Sequence, residues 1–120
     1  MTSSQSGILI PTARLSMRDL DRFRDNPFEN MIKFVVDIRQ GRIALGGEMH
    51  ADGEEALLSS GSHLANLWGA ILWPWKVPLR VEFVAAINIR PSADNRGMEI
   101  GSPDIRDQVT VIARQWVDLQ

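Results

Sequence analysis

The chain has 120 residues, 44% of them hydrophobic and 23% charged, with 9 Gly, 6 Pro and no Cys. That is the composition of one soluble globular domain, and it excludes disulfides, thiolate metal centres and thiol catalysis. Thirteen Lys+Arg against 15 Asp+Glu leave a formal charge of −2 with neither sign in a block, which excludes the basic footprint of a non-specific nucleic-acid binder.

No run reaches the ~18 apolar residues of a membrane span, and the opening Met-Thr-Ser-Ser-Gln-Ser-Gly has neither part of a signal peptide, so a cytoplasmic chain is expected. Residues 1–7 are small and polar and read as a disordered tail, leaving 8–120 as a single domain. Residues 8–10, stopped by Pro11, read as a short edge strand. From Ser16, a capping hydroxyl, Asp19 at the third helical position and the spacing of Met17, Leu20 and Phe23 predict a short amphipathic helix that Asn26-Pro27 ends.

Over 32–39, Ile32, Phe34, Val36 and Ile38 fall on one side with period two, and Gln40-Gly41 offers a two-residue turn. That turn pairs Arg39 with Arg42, Ile38 with Ile43, Val36 with Leu45, Phe34 with Gly47 and Ile32 with Met49. The other face then carries Asp37 opposite Ala44, Val35 opposite Gly46 and Lys33 opposite Glu48. Asp52 reads as the N-cap of a second helix, with Glu55 at capping-box spacing and Gly61 suited to its C′ position. Residues 66–73 read as a strand, and the Pro-rich loop 73–78 leads to a long one over 79–90, with Leu79, Val81, Phe83, Ala85, Ile87 and Ile89 on one face. Ser102-Pro103-Asp104 starts a last helix whose stripe is Ile105, Val109, Ile112 and Trp116.

The order β-α-ββ-α-ββ-α predicts an α+β fold: two layers, a mainly antiparallel sheet of about four to five strands, and helices on one face. The uncovered face would mix Lys33, Asp37, Glu48, His50, Asn88 and Arg90 with Val35, Ala44, Val84 and Ala86.

Two stretches carry candidate chemistry. In Gly46-Gly47-Glu48-Met49-His50-Ala51-Asp52, strand alternation would point Glu48 and His50 the same way, as oxygen and nitrogen donors for a divalent ion or as a carboxylate-oriented base. Against that, Lys33 opposite Glu48 and the capping role of Asp52 already occupy both carboxylates, so no metal site and no cofactor are expected. The second stretch, 88–97, brings Asn88, Arg90, Asn95 and Arg96 together in a turn that could cradle a carboxylate or phosphate. Its competing reading is a set of turn formers and ion-paired arginines. Trp73 and Trp75 flank Pro74 at a loop tip, where two large rings are hard to bury in one small domain, and they predict a partner surface.

Val35-Val36-Asp37-Ile38, the stretch 46–52, Asn66-Leu67-Trp68-Gly69, Ile87-Asn88-Ile89-Arg90-Pro91-Ser92, Asn95-Arg96 and Met98-Glu99-Ile100 together resemble a family of small bacterial proteins of unknown function. The resemblance covers roughly residues 31–117, and departs from the family pattern at Met49, Trp73 and Gly97, where Leu, Tyr and Ser are expected. It implies no activity and no catalytic residues.

Three functions remain open on these residues. The first is a domain that binds a small anionic ligand or an acidic partner segment through Glu48, His50, Asn88, Arg90, Asn95 and Arg96. The second is a small hydrolase or metal-dependent enzyme using Glu48 and His50. The third is a homodimeric interaction module with Trp73, Trp75, Val35 and Val84 at the contact. Convergence of Glu48, His50, Asn88 and Arg90 in an open cleft would favour the first two, and a closed, fully paired polar network the third.

Overall fold

The computed structural model describes residues 2–3 and 7–119. Its sheet contains β1 (Thr2–Ser3), β2 (Leu9–Ile10), β3 (Ile32–Asp37), β4 (Arg42–Leu45), β5 (Leu67–Trp73) and β6 (Arg80–Glu82). The strands lie in the order β1-β2-β4-β3-β5-β6, and every neighbouring pair is antiparallel. Two α-helices, α1 (His50–Ser59) and α2 (Pro103–Trp116), and a 3-10 helix at Arg18–Phe23 complete an α+β domain. Of the tail expected over 1–7, residues 1 and 4–6 lie outside the described residues, while Thr2–Ser3 run beside Leu9–Ile10.

The hairpin joins β3 to β4 in a register different from the expected one. Phe34 faces Leu45, Val36 faces Ile43 and Asp37 faces Arg42, while the Ile38 amide donates to the Asn66 carbonyl at 2.9 Å. The cause lies in the turn. A two-residue hairpin turn at Gln40-Gly41, of either favoured type, would put Gln40 at positive φ, whereas of the two Gly41 alone is there, at +68°. Asp37 instead organises a four-residue loop: its Oδ1 accepts from the amides of Arg39 and Gln40, each at 2.9 Å, and its carbonyl accepts from Gly41 at 2.9 Å. The displacement moves each partner by two residues, and an even slip leaves every side chain on its own face, so the apolar pattern is blind to it.

Helices cover both faces, correcting the two-layer expectation. Phe34, Val36, Ile43, Leu45 and Trp68 pack with Leu20 and Phe23 of the 3-10 helix and with Val109, Ile112 and Ala113 of α2. On the opposite face Val35, Ala44 and Leu67 pack with Ile8 and Leu57. Here α1 comes so close that a Cβ on Gly53 would sit 3.1 Å from Val35 Cγ2. Helix α1 begins three residues before the expected start. Met49 is its N-cap, and Asp52 serves from the third helical position by accepting from the Met49 amide at 3.2 Å. At the other end, the amides of Gly61 and Ser62 return to the carbonyls of Leu58 and Leu57, with Gly61 at φ +101°, as a Schellman ending requires.

The strand expected over 79–90 stops at Glu82. Leu79, Val81 and Phe83 pack into the first core. The chain then crosses to the other face, where Ala86–Asn88 form a 3-10 turn and Ile87 joins the cluster of Val35 and Leu67. The remaining backbone of this segment bonds to 98–100, through Ala85 to Met98 at 3.1 Å and Ile100 to Phe83 at 2.9 Å.

Candidate functional site

Strand β6 pairs with β5 only at Ile71, Leu72 and Trp73. The part of β5 from Leu67 to Ala70 therefore has no strand on that side, and its outward main-chain groups need other partners. Asn88 supplies them. Its side chain is fully buried and copies a peptide unit: Oδ1 accepts from the Gly69 amide at 2.8 Å, and Nδ2 donates to the Gly69 carbonyl at 2.9 Å. The second hydrogen of Nδ2 reaches the Met98 carbonyl at 3.1 Å. Glycine is required opposite, because a Cβ at residue 69 would lie 2.7 Å from Ala85 Cβ and 2.9 Å from His50 Cδ2.

Arg90 extends the same plug. Its Nη2 donates to the Leu67 carbonyl at 2.9 Å and the Ile87 carbonyl at 3.3 Å, and Nη1 reaches the Ala65 carbonyl at 3.4 Å. The guanidinium lies 4.8 Å from the centroid of the Trp68 ring, and Trp68 Nε1 is a buried donor with no hydrogen-bond partner. Asn95 performs the equivalent task for the following loop. Its Nδ2 serves the carbonyls of Asn88, Gly97 and Glu99 at 2.8, 3.1 and 3.0 Å, and Oδ1 accepts from Gly101 at 2.9 Å.

His50, the first residue of α1, sits over β5 with Nε2 at 2.8 Å from the Ala70 carbonyl. Since a carbonyl can only accept, Nε2 carries the hydrogen. Burial lowers the imidazole pKa below 6.5, the Ala70 bond raises it, and Lys33 nearby lowers it further, which keeps the ring neutral. Glu54, on the same helix, is pushed up by burial and pulled down by Arg90, while burial lowers Arg90 and Glu54 raises it.

Of the six expected ligand residues, His50, Asn88 and Arg90 meet along β5 and Asn95 bonds to Asn88 behind them, but the polar atoms named above are directed at the main chain. Glu48 and Arg96 do not join them. Both are exposed, and Glu48 lies beyond the Gly46-Gly47 turn, where Lys33 Nζ holds its main-chain carbonyl at 2.7 Å. The glycines have a packing reason: a Cβ at Gly46 would meet Phe23 at 2.6 Å, and one at Gly47 would meet Ile8 at 2.5 Å. Glu48 instead lines a cavity of about 150 Å³ with Arg22, Asn26, Phe23 and Pro27. Among the described residues, no three of His, Asp and Glu gather as metal ligands, and no helix is long and apolar enough to cross a membrane.

The expected contact residues are also dispersed. Val35 is 1% exposed beneath α1, so it is not available to a partner. Val84 is half-buried and bridges Glu99. Trp73 donates to Glu82 Oε1 at 2.6 Å, and Trp75 packs on the first core with Arg24 5.0 Å from its ring centroid. Sequence reasoning passed over Asp37 and Ser62 as a buried pair, 2.6 Å apart. The Asp-x-x-x-Gly spacing of Asp37 and Gly41 was the available signal.

The geometry can be set beside known families. A family described as Protein of unknown function (DUF5674) matches residues 9–116. The chain belongs to that family. No curated protein and no solved structure matches it. In this DUF5674 chain, the motif Ile87-Asn88-Ile89-Arg90 is the plug of the β5 edge, and Leu67-Trp68-Gly69 is the edge it closes.

Proposed function

We propose that this DUF5674 domain works by associating with copies of itself, and that the polar residues over β5 hold its contact surface in shape. One observation carries this reading: Asn88, Arg90, Asn95 and the Nε2 of His50 spend their hydrogen bonds on main-chain groups. A ligand or substrate would have to break those bonds and leave buried carbonyls unpaired, at about 1–3 kcal/mol each. Among the described residues no carboxylate hydrogen-bonds to His50: Glu48 is exposed, and the ring is oriented by the Ala70 carbonyl. The test is sedimentation equilibrium of the purified chain at micromolar concentration. A dimer supports the reading, and a monomer over the whole concentration range overturns it.

The cavity beside Glu48 favours a second reading, a small charged ligand. Asn26 and Glu48 line it with an amide and a carboxylate in about 150 Å³. Thermal denaturation against a panel of free amino acids checks it: a stabilisation lost in Glu48→Gln supports this reading, and a flat panel removes it.

A further inference from the structure

We propose that α1 is an acid-released cover: protonation of His50 frees the first turn of the helix from the sheet and uncovers the face of Val35 and Ala44. This goes beyond the self-association reading and does not depend on it. The buried residues of α1 are His50, Gly53 and Leu57, which fall on one side of a helix, one to a turn. The His50 ring packs on Gly69, with Cδ2 2.9 Å from where a Cβ would stand, and Gly53 lies against Val35 and Ala44. Leu57 completes a cluster with Ile8, Val35, Ala44 and Leu67. In α2 the buried residues are Val109, Ile112 and Ala113, all apolar and all in the larger core. One of the three residues that seat α1 is therefore titratable, and none that seat α2 is.

A charged ring does not fit this seat. Nε2–H already donates to the Ala70 carbonyl at 2.8 Å, and Nδ1, which would gain the proton, has no hydrogen-bond partner among the described residues. His50 is also the first residue of α1, where free amides and the helix dipole already place positive charge. Among the charged groups on the surrounding elements, Lys33 of β3 opposes the imidazolium. Asp37 of β3 and Arg42 of β4 are bonded beyond the far end of the helix, to the Ser62 hydroxyl and the Ser60 carbonyl. On α1 itself, Asp52 accepts from the Met49 amide, Glu55 is exposed, and Glu54 lies in the field of Arg90. Residues 67–73 of β5 carry no charge. Burial holds the imidazole below its ordinary 6.5; the Ala70 bond opposes this and Lys33 adds to it. The ring takes up its proton more readily in water than in its seat, so acid favours the released form.

The chain is held on both sides of the helix, which confines the movement. Before it, Lys33 Nζ bonds to the Glu48 carbonyl at 2.7 Å. After it, Gln40 Nε2 donates to the Gly61 carbonyl at 3.3 Å, Arg42 Nη1 to the Ser60 carbonyl at 3.0 Å, and the Ser62 hydroxyl to Asp37 Oδ2 at 2.6 Å. Opening this span leaves the larger core closed, as a local transition requires.

The chain has no Cys, so a single introduced thiol reports the opening. Ala44→Cys lies beneath α1 and Ala113→Cys on the buried face of α2; the two alanines are 1% and 2% exposed. Each thiol is labelled with an aromatic disulfide at about pH 8 and about pH 5, which bracket the range in which His charges. Each rate is divided by that of the urea-unfolded chain at the same pH. The expected result is that protection of Ala44→Cys falls about tenfold or more in acid, that Ala113→Cys stays protected, and that adding His50→Gln removes the fall. A glutamine amide can still donate to Ala70 but takes up no proton. Equal loss at both thiols would mean that the whole domain opens and would overturn the cover, as would no fall at Ala44→Cys or a fall that survives His50→Gln. Val35→Cys replaces Ala44→Cys if near-ultraviolet circular dichroism shows the latter unfolded. If His50→Gln fails to fold, proton NMR decides in the chain that keeps His50, with His63→Gln to assign the signal. A His50 midpoint that coincides with the labelling midpoint supports the cover, and separate midpoints overturn it.

Discussion

The two sides of β5 solve the same problem differently. Toward β3, residues 67–72 pair with main chain over their full length. On the other side, β6 pairs only with 71–73, and the side chains of Asn88 and Arg90 bond to Gly69 and Leu67. A main-chain ladder depends little on side-chain identity, because every residue except Pro brings the same donor and acceptor. An edge closed by side chains depends on a few residues that have no substitutes. The motif of Asn88 and Arg90, which looks like a ligand-binding site, is thus the place where the main chain of β5 lacks a strand neighbour.

The sharpest way to break the comparison is Asn88→Ala. It strips both main-chain groups of Gly69 of their partner and leaves the Met98 carbonyl with the Ala85 amide alone, so a loss of about 3 kcal/mol is expected in chemical denaturation. A loss well under 1 kcal/mol would mean that water replaces the amide and that Asn88 is free for another task. Gly69→Ala comes next. It drives a methyl into Ala85 and His50 and should cost about 1–3 kcal/mol by overpacking; Ala85→Gly in the same chain should recover part of that loss.

The third prediction concerns pH. The folded imidazole of His50 titrates below 6.5 because of burial, so the unfolded chain takes up the proton first. The stabilising contribution is complete above about pH 6.5 and is lost as pH falls through the folded value. Measured between pH 8 and pH 5, roughly the range in which His charges, stability should decline more steeply in the wild type than in His50→Gln. Parallel curves would show that His50 is not held neutral. The smallest effect belongs to Arg96→Ala. Arg96 is exposed and stands apart from the plug, so the change should stay within about 0.5 kcal/mol, in contrast to Arg90→Ala, which uncaps the Leu67 carbonyl.

Local sequence determined the elements whose causes are local. The Ser16–Asp19 capping pair, the Ser102 cap of α2, the Gly61 ending of α1 and the stripe of Val109 and Ile112 all follow from residues within one or two helical turns. Alternation along 32–38 determined which side chains share a face, and with the hairpins it determined an antiparallel α+β domain. It could not choose between registers two residues apart, because both keep the faces intact; the Asp37 loop made that choice. Nor could it reveal that α1 covers the face of Val35 and Ala44, or that 79–90 leaves the sheet after Glu82, since both depend on contacts between segments distant in the chain. Asn88 and Arg90 carry the same lesson. Their residue types announced hydrogen bonding, but only the tertiary structure decided the partner, because an amide or guanidinium binds a neighbouring carbonyl by the same chemistry with which it would bind a ligand.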